Sequence, residues 1–509
     1  MSSVQFGTYN PTNTEEEDTP PKLNITIGAF FDGTLNNKTN TESRLGQHGE
    51  KGREAHKNHG SDGSYTNDLS NVARMQEFYQ GEVNKEKDEK LNIYIEGIGT
   101  ENFKGDSLYF KSKGASMGRG PTGIRAKVRK GCEEVFKVIK DTTDKTDIEE
   151  INKLTIDVYG FSRGAAAARN FVHEITKAAY TAKKGPYFYV DSFNKQIPEG
   201  DKELPKRGHL GYLLQKNNIT IDLLKVRFVG LYDTVSSYDP TAEFSPDFSN
   251  DIEELKLNSI RQARHIIQLA ASDEHRKNFA LTSIPIGQQY HLPGVHSDIG
   301  GCYTHNTSEG EIQIMDQDNT WRDGRSDEDW DTIVNNDLDH LIAEGWFPKE
   351  HTKRANSWHE TYGSRGNISN RYSYIPLHIM CEQTNKKTKD EAVFKIAELN
   401  EQYVIASDKE LDLKMVKLRI DAYIKGEKPS LKFYTSSLIN KITHQAKQGI
   451  LSKEEYAAKV SQLTEDRDML LRLRKRYLHF SSMYGSVSGS NIPNYTIHEN
   501  TIIRKRQVY

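Results

Sequence analysis

A serine held between two glycines, in Gly160-Phe161-Ser162-Arg163-Gly164, is the stretch of this chain best fitted to chemistry. A serine hydroxyl becomes a useful nucleophile only when a base takes its proton and a carboxylate holds that base in the right tautomer. Where the serine rides on a strand-to-helix elbow, the partners follow it in the order acid, then histidine. Asp233 comes next in that order, in Leu231-Tyr-Asp-Thr234, and His296 follows, with Gly294 before it and Gly300-Gly301 after. Glycine flanks permit the close backbone approach that a catalytic histidine loop needs. His291 falls inside an expected strand and reads as a packing residue. His479, in Tyr477-Leu-His-Phe480, also satisfies the order and is the alternative base. Acyl transfer further needs two N–H donors for a developing oxyanion. The residue after the nucleophile, Arg163, supplies one; the Asp32-Gly33 turn, at the end of an earlier apolar run, is the candidate for the other.

These residues need elements that hold them. Leu154–Tyr159 reads as a buried strand and Ala165–Ala179 as a helix, so the serine sits where strand turns into helix. Leu23–Phe31, Leu91–Ile95, Leu223–Leu231 and, more weakly, Tyr290–Val295 are further strand candidates. Asp68–Tyr79, Ile124–Lys140 and Ser259–Ala271 read as helices. Strands that alternate with helices and end in glycine or polar residues imply an α/β fold of α/β-hydrolase type. In it a mostly parallel sheet is flanked by helices, with the site at the strands' carboxyl ends. Residues 1–22 read as a disordered tail, 23–385 as the catalytic domain with loop insertions, and 386–509 as a mainly helical region, membrane- or partner-facing. The polar stretch Asn36–Ser64 reads as a long loop, and Tyr187, Phe188 and Tyr189 as either a lid over an apolar site or core. Ser452-Lys-Glu-Glu455 is a capping box opening a helix to about Tyr477. The sequence from Gly485 onward reads as a polar tail with a basic end.

Composition narrows the classes. With 69 basic and 72 acidic residues among 509, a net charge of −3 gives no global pull toward nucleic acid. The first thirty residues lack a secretory signal pattern, and no apolar run reaches the roughly 20 residues of a membrane span. Any membrane contact is therefore expected to be peripheral. Cys132, Cys302 and Cys381 have neither disulfide nor metal spacing. Asp316, Asp318, Asp323, Asp327 and Asp329 are dense, but Trp321 stands where a calcium loop needs glycine, so a solvated acidic loop is expected. Gly118-Arg-Gly-Pro-Thr-Gly123 lacks a strand immediately before it and reads as no dinucleotide site. The run Arg472–Arg476 reads as the exposed last turn of a helix. No cofactor and no metal are expected.

Five blocks together resemble the phospholipase effectors of bacterial type VI secretion, the class with a G-F-S-R-G-A elbow. They are Phe30-Phe-Asp-Gly-Thr34, Gly97-Ile-Gly-Thr100, Gly160-Phe-Ser-Arg-Gly-Ala165, Gly230-Leu-Tyr-Asp-Thr-Val235 and Gly294-Val-His-Ser-Asp-Ile-Gly-Gly301; Tyr372–Met380 adds a sixth. The resemblance implies a serine hydrolase of phospholipase A type, cleaving glycerophospholipid acyl esters as an antibacterial toxin, with Ser162, Asp233 and His296 as its triad. It also implies synthesis in a bacterial cytoplasm and secretion into a target cell's periplasm. The implied partners are membrane phospholipid, a secretion-spike or tube protein and a cognate immunity protein. Against this stand a cytoplasmic esterase acting on a soluble ester, and a non-catalytic component of a secretion assembly.

Overall fold

The computed structural model describes residues 21–107, 120–237, 248–316, 324–355, 359–406, 411–433, 436–484 and 491–509. The tail up to residue 20, most of Gly114–Gly123, and Asp318 and Asp323 of the acidic loop lie outside the described residues.

The chain is built on an eight-stranded sheet: β1 (Leu23–Phe31), β2 (Gly81–Val83), β3 (Glu86–Asp88), β4 (Asn92–Ile95), β5 (Glu150–Phe161), β6 (Thr220–Tyr232), β7 (His265–Ala271) and β8 (Gln288–Leu292). Its order is β8-β7-β6-β5-β1, all parallel. The far edge of β1 is then shared between parallel β4 and the antiparallel pair β2-β3. β1 is buried at every position but Asn24, as a strand covered on both faces must be. One face, with Ile27, Phe31, Ile156, Val158 and Val229, packs under helices α1 (Ile124–Thr146) and α2 (Arg163–Thr176). The other face is aromatic. Phe30 stacks on Tyr159 at 4.9 Å and Tyr159 on Phe228 at 5.8 Å, beneath helix α3 (Tyr374–Thr388). That second cluster runs on without a break through Leu413, Leu470 and Leu473, residues of the helical region beyond 385.

The fold is thus mixed α/β with a mostly parallel central sheet, as expected, and several elements differ from the sequence reading. Ser259–Ala271 is not a helix: a short 3-10 turn, Leu257–Gln262, leads into strand β7. Asn36–Ser64 is not a long loop but carries helices at Lys38–Arg44 and Gly49–His59, with a third turn starting at Gly63. The helix expected over Asp68–Tyr79 is confined to Asn71–Gln76. The capping box does open a helix, α4 (Lys453–Arg476), with Ser452 and Glu455 bonded reciprocally. Its last turn is not simply exposed. Arg474 is 5 % exposed and lies between Asp273 and Glu344, at 2.9 and 2.8 Å. The segment after residue 490 forms a hairpin, Tyr495–His498 with Thr501–Arg504, where a polar tail was expected. Asp327 and Asp329 lie in the first turn of the helix Asp327–Ala343, where carboxylates favour the dipole.

Tyr187 is 93 % exposed, which rules out a core role. It adjoins a small sheet (Lys183–Lys184, Tyr189–Val190, Gln196–Ile197) tied through Ser192 to Glu174, at the far end of α2. Twelve helical residues separate Glu174 from Ser162, roughly 18 Å. That anchors the base of the insert toward the far end of α2 and leaves Tyr187 at its tip facing solvent.

Candidate active site

β5 ends at Phe161 and α2 begins at Arg163, leaving Ser162 alone in the turn with φ 57° and ψ −129°. A non-glycine residue there stores strain on the order of 1–3 kcal/mol. Two glycines make the turn sterically feasible. A Cβ on Gly164 would lie 2.1 Å from the Asp32 carbonyl oxygen, and one on Gly160 would lie 2.6 Å from Ala165 Cα. The elbow and the turn after β1 therefore touch backbone to backbone. Four alanines, Ala165 to Ala168, are fully buried where α2 crosses the sheet.

Phe161 pairs with Tyr232 across β5 and β6, so Ser162 and Asp233 follow one another at the same carboxyl edge. The Ser162 N–H donates to the Tyr232 carbonyl at 3.0 Å, and Val235 N–H donates to the Ser162 carbonyl at 3.3 Å. His296 opens a short helix, His296–Gly300, just beyond β8, and its Nδ1 lies 2.5 Å from Asp233 Oδ2. Its ring packs between Phe161 and Phe279, with centroids at 4.6 and 5.0 Å. The structure thus brings Ser162, Asp233 and His296 to one sheet edge, all buried.

Burial lowers the His296 pKa from its ordinary value, against the pull of the Asp233 carboxylate. The imidazole is therefore neutral, and able to accept a proton, somewhat below the usual histidine range. The acid limb of kcat/KM is expected below pH 6.5, read from a pH–rate profile on a soluble ester. A limb well above that value would contradict a buried base. Burial pushes the Asp233 carboxyl up, but Arg506 and His296 outweigh it and hold it at about 2.

Arg506 is the contributor that no local pattern announces. Its Nη1 donates to Asp233 Oδ1 at 2.6 Å and its Nη2 to Oδ2 at 2.8 Å, while Ala271 N–H also reaches Oδ1. The segment around it is laced to the loop after β7: Lys277 N–H to the Ile492 carbonyl, Asn494 N–H to that of His275, and Leu281 N–H to that of Gln507. Glu274 was likewise not singled out. It accepts from the His296 backbone N–H at 3.2 Å and from the Arg276 guanidinium at 2.8 Å. Although burial opposes it, Arg276 and Arg506 keep this carboxyl far below its usual range.

His479 pairs with Asp298, not with Asp233. Its Nδ1 bonds Asp298 Oδ1 at 2.7 Å, and its ring stacks on Tyr303 at 3.7 Å. Asp298 also accepts from Val295 N–H, so His479 braces the loop that carries His296. His479→Gln is expected to lower stability by about 1–3 kcal/mol through the lost bond, with turnover of the folded protein near that of the parent. Thermal unfolding and esterase assays on the same sample check this; a dead, well-folded variant would contradict it.

Around the expected oxyanion turn, Gly33 N–H donates to the carboxylate of Asp32 at 2.7 Å, and Tyr94 OH reaches the same carboxylate at 2.5 Å. Burial raises the Asp32 pKa to about 6, against these bonds. Arg163 Nε donates to Thr34 Oγ1 at 2.8 Å, tying elbow to turn. No hydrogen bond engages the Thr34 N–H among the described residues. Among those residues no cluster of metal-ligating side chains occurs, and no helix is long and apolar enough to cross a membrane.

No curated protein matches the chain. Among solved structures, the Tle1 effector bound to the VgrG spike of the type 6 secretion system is similar in fold. Its TM-score is 0.53 at 19% identity, over 99% of this chain and 98% of that one. An uncharacterized protein from Pseudomonas aeruginosa also matches, with a TM-score of 0.31 at 16% identity over 90% and 64% of the two chains. The catalytic-domain family of Tle1-like type VI secretion phospholipase effectors matches residues 26–383, a span that contains Ser162, Asp233 and His296 but not Arg506. Matched over well more than half its length, the chain belongs to the Tle1-like phospholipase effectors, lipolytic toxins of type VI secretion.

Proposed function

We propose that the protein is a serine phospholipase of A type that cleaves glycerophospholipid acyl esters through Ser162, His296 and Asp233. The observation that carries this reading is the 2.5 Å pairing of His296 with Asp233 on the sheet edge that bears the strained serine. In the first step Ser162 Oγ attacks the ester carbonyl and its proton passes to His296 Nε2. Asp233, at Nδ1, holds the tautomer and stabilises the imidazolium. The oxyanion is met by the Arg163 N–H and by an amide of the Asp32–Thr34 turn. With Gly33 already donating to Asp32, Thr34 N–H is the better placed of the two. Collapse returns the proton from His296 to the departing lysophospholipid alkoxide, leaving an acyl-serine. Water, deprotonated by His296, then releases the fatty acid and regenerates Ser162.

Arg506 acts in this scheme as a positioning residue. It grips both oxygens of the Asp233 carboxylate, sharing Oδ2 with His296, and withdraws part of its charge. Without that cation the carboxylate stabilises imidazolium more strongly, so Arg506→Met should move the acid limb of kcat/KM to higher pH and lower its plateau. A uniform loss of activity with an unmoved pH profile would leave only a structural role.

For the cellular setting the reading is delivery on a spike protein, as the VgrG-bound relative suggests, into a target cell's periplasm. There the enzyme makes peripheral contact with the bilayer, and an immunity protein guards the producer. The deciding experiment incubates the purified protein with vesicles of defined phospholipids and analyses the products. Free fatty acid and lysophospholipid are expected, with a fluorophosphonate probe labelling Ser162. Hydrolysis of short soluble esters alone, with intact phospholipid left untouched, would overturn the substrate assignment. An unlabelled, inactive protein would overturn the enzyme.

A further inference from the structure

At the opposite end of the same strands, the sheet opens into a cavity of about 190 Å³. Its walls carry Lys153, Lys225, Arg227, Arg264, Lys387 and Lys389 against a single carboxylate, Glu391. Topology brings them together. Lys153, Thr155 and Asp157 project from one face of β5, two residues apart. Thr155 lies opposite Lys225 on β6, and a register shift between Val226 and Phe228 sets Arg227 against Asp157. Arg264 leads into β7, its N–H bonded to the Val226 carbonyl at 3.1 Å. Helix α3 crosses the same face and ends at Thr388, which places Lys387 and Lys389 at the mouth.

Arg227 is accounted for within the protein. Its Nε donates to Asp157 Oδ1 at 3.0 Å and its Nη1 to Glu391 Oε2 at 2.6 Å, so its single charge is shared between two carboxylates at the floor. Lys153, Lys225, Arg264, Lys387 and Lys389 have no ion-pair partner among the described residues. The C-terminal dipole of α3 explains Lys387 and Lys389, since cations are favoured there. It does not explain Lys153 and Lys225, which come from within β5 and β6, or Arg264, which precedes β7. The field they create is felt locally. His265, on the wall, has its pKa lowered by burial and further by Arg264, Lys387 and Lys225. Like charges gathered around a concave polar space repel one another unless a counter-anion occupies it.

We infer that this cavity is a binding site for a phosphate-bearing anion, held by Lys225, Arg264 and Lys387 above the Arg227 floor. Thr155 lines the same space and its hydroxyl supplies a neutral donor, whereas the Thr388 hydroxyl donates back to the Thr384 carbonyl of its own helix. A phosphate could come from a soluble compound or from a lipid headgroup. Lys225 lies opposite Thr155, six strand residues from Phe161, roughly 20 Å. Headgroups filling the cavity would therefore turn the Ser162 edge away from the bilayer that supplied them. The geometry favours the soluble source, and the site is separate from the one that cleaves ester.

The test is isothermal titration of the full-length protein with pyrophosphate at low ionic strength, repeated for a Lys225→Gln/Lys387→Gln double variant. Saturable binding that weakens as salt is raised, and at least about tenfold in the double variant, is expected. Turnover of a short soluble ester serves as the folding control, because neither lysine belongs to the Ser162 edge. Should the double variant fail to fold, lysine acylation footprinting of the parent decides. Pyrophosphate should then protect Lys225 and Lys387 while leaving Lys104, 65 % exposed in its side chain, fully reactive. Equal affinity in parent and variant, or equal protection at all three lysines, would overturn the site. A vesicle arm separates the sources. Sedimentation with phosphatidylglycerol vesicles that depends on Lys225 and Lys387, together with no pyrophosphate binding, would overturn the soluble assignment in favour of a headgroup.

Discussion

Ser162→Ala is expected to abolish phospholipid hydrolysis, reducing turnover by on the order of 10⁴–10⁶ while the protein stays folded. The substitution removes the atom that forms the acyl bond, so what remains is whatever the oxyanion donors and substrate binding achieve alone. Stability should be unchanged or slightly higher. The hydroxyl makes no hydrogen bond to the backbone that shapes the elbow; the turn is set by Gly160, Gly164 and the Ser162 backbone bonds to Tyr232 and Val235. Turnover, labelling by a fluorophosphonate and the unfolding midpoint should be measured on one preparation. A folded Ser162→Ala protein with parental activity would remove the nucleophile from the scheme.

Asp233→Asn should be nearly as damaging to turnover and far worse for stability. An amide nitrogen facing His296 Nδ1 cannot accept the proton that fixes the tautomer, and a loss of about 10⁴ in kcat is expected. The second consequence belongs to Arg506. Its side chain is only 7 % exposed, and with Asp233 neutralised the guanidinium stays buried without the carboxylate it pairs with, Glu274 being the charge left to offset it. Breaking a buried pair from one side costs about 3–5 kcal/mol. The double variant Asp233→Asn/Arg506→Met separates the two effects. It should regain much of the lost stability and none of the activity. If the double variant unfolds at the same denaturant concentration as Asp233→Asn alone, the stranded-cation explanation fails.

The catalytic edge was legible in sequence because each part of it is local. Ser162 lies between an apolar strand and an alanine-rich helix, and Asp233 and His296 each follow an apolar run. Other elements were hidden for identifiable reasons. Ile266, Ile267 and Leu269 suit a helix face as well as they suit a short strand buried on both sides, and the strand has the lower-energy home between β6 and β8. The Asn36–Ser64 segment has no apolar stripe because polar contacts fix its helices. Asn40 donates to Ser64 Oγ at 3.0 Å, and Arg44 Nε to the Tyr65 carbonyl at 2.6 Å. Arg506 had no local signature at all. Its meaning comes from one carboxylate 273 positions earlier in the chain.

That separation has a bearing on time as well as on space. A ribosome delivers Ser162, Asp233 and His296 in turn, and needs roughly 10–40 s more to reach Arg506 at ordinary rates of synthesis. Throughout that interval the growing polypeptide holds a serine, a base and an acid, but lacks the cation that pins the acid. It lacks also the strand partners that 491–509 lends to the loop beside the base. The acid therefore gains its full set of contacts only after all eight strands of the central sheet and the cationic cavity have been synthesised.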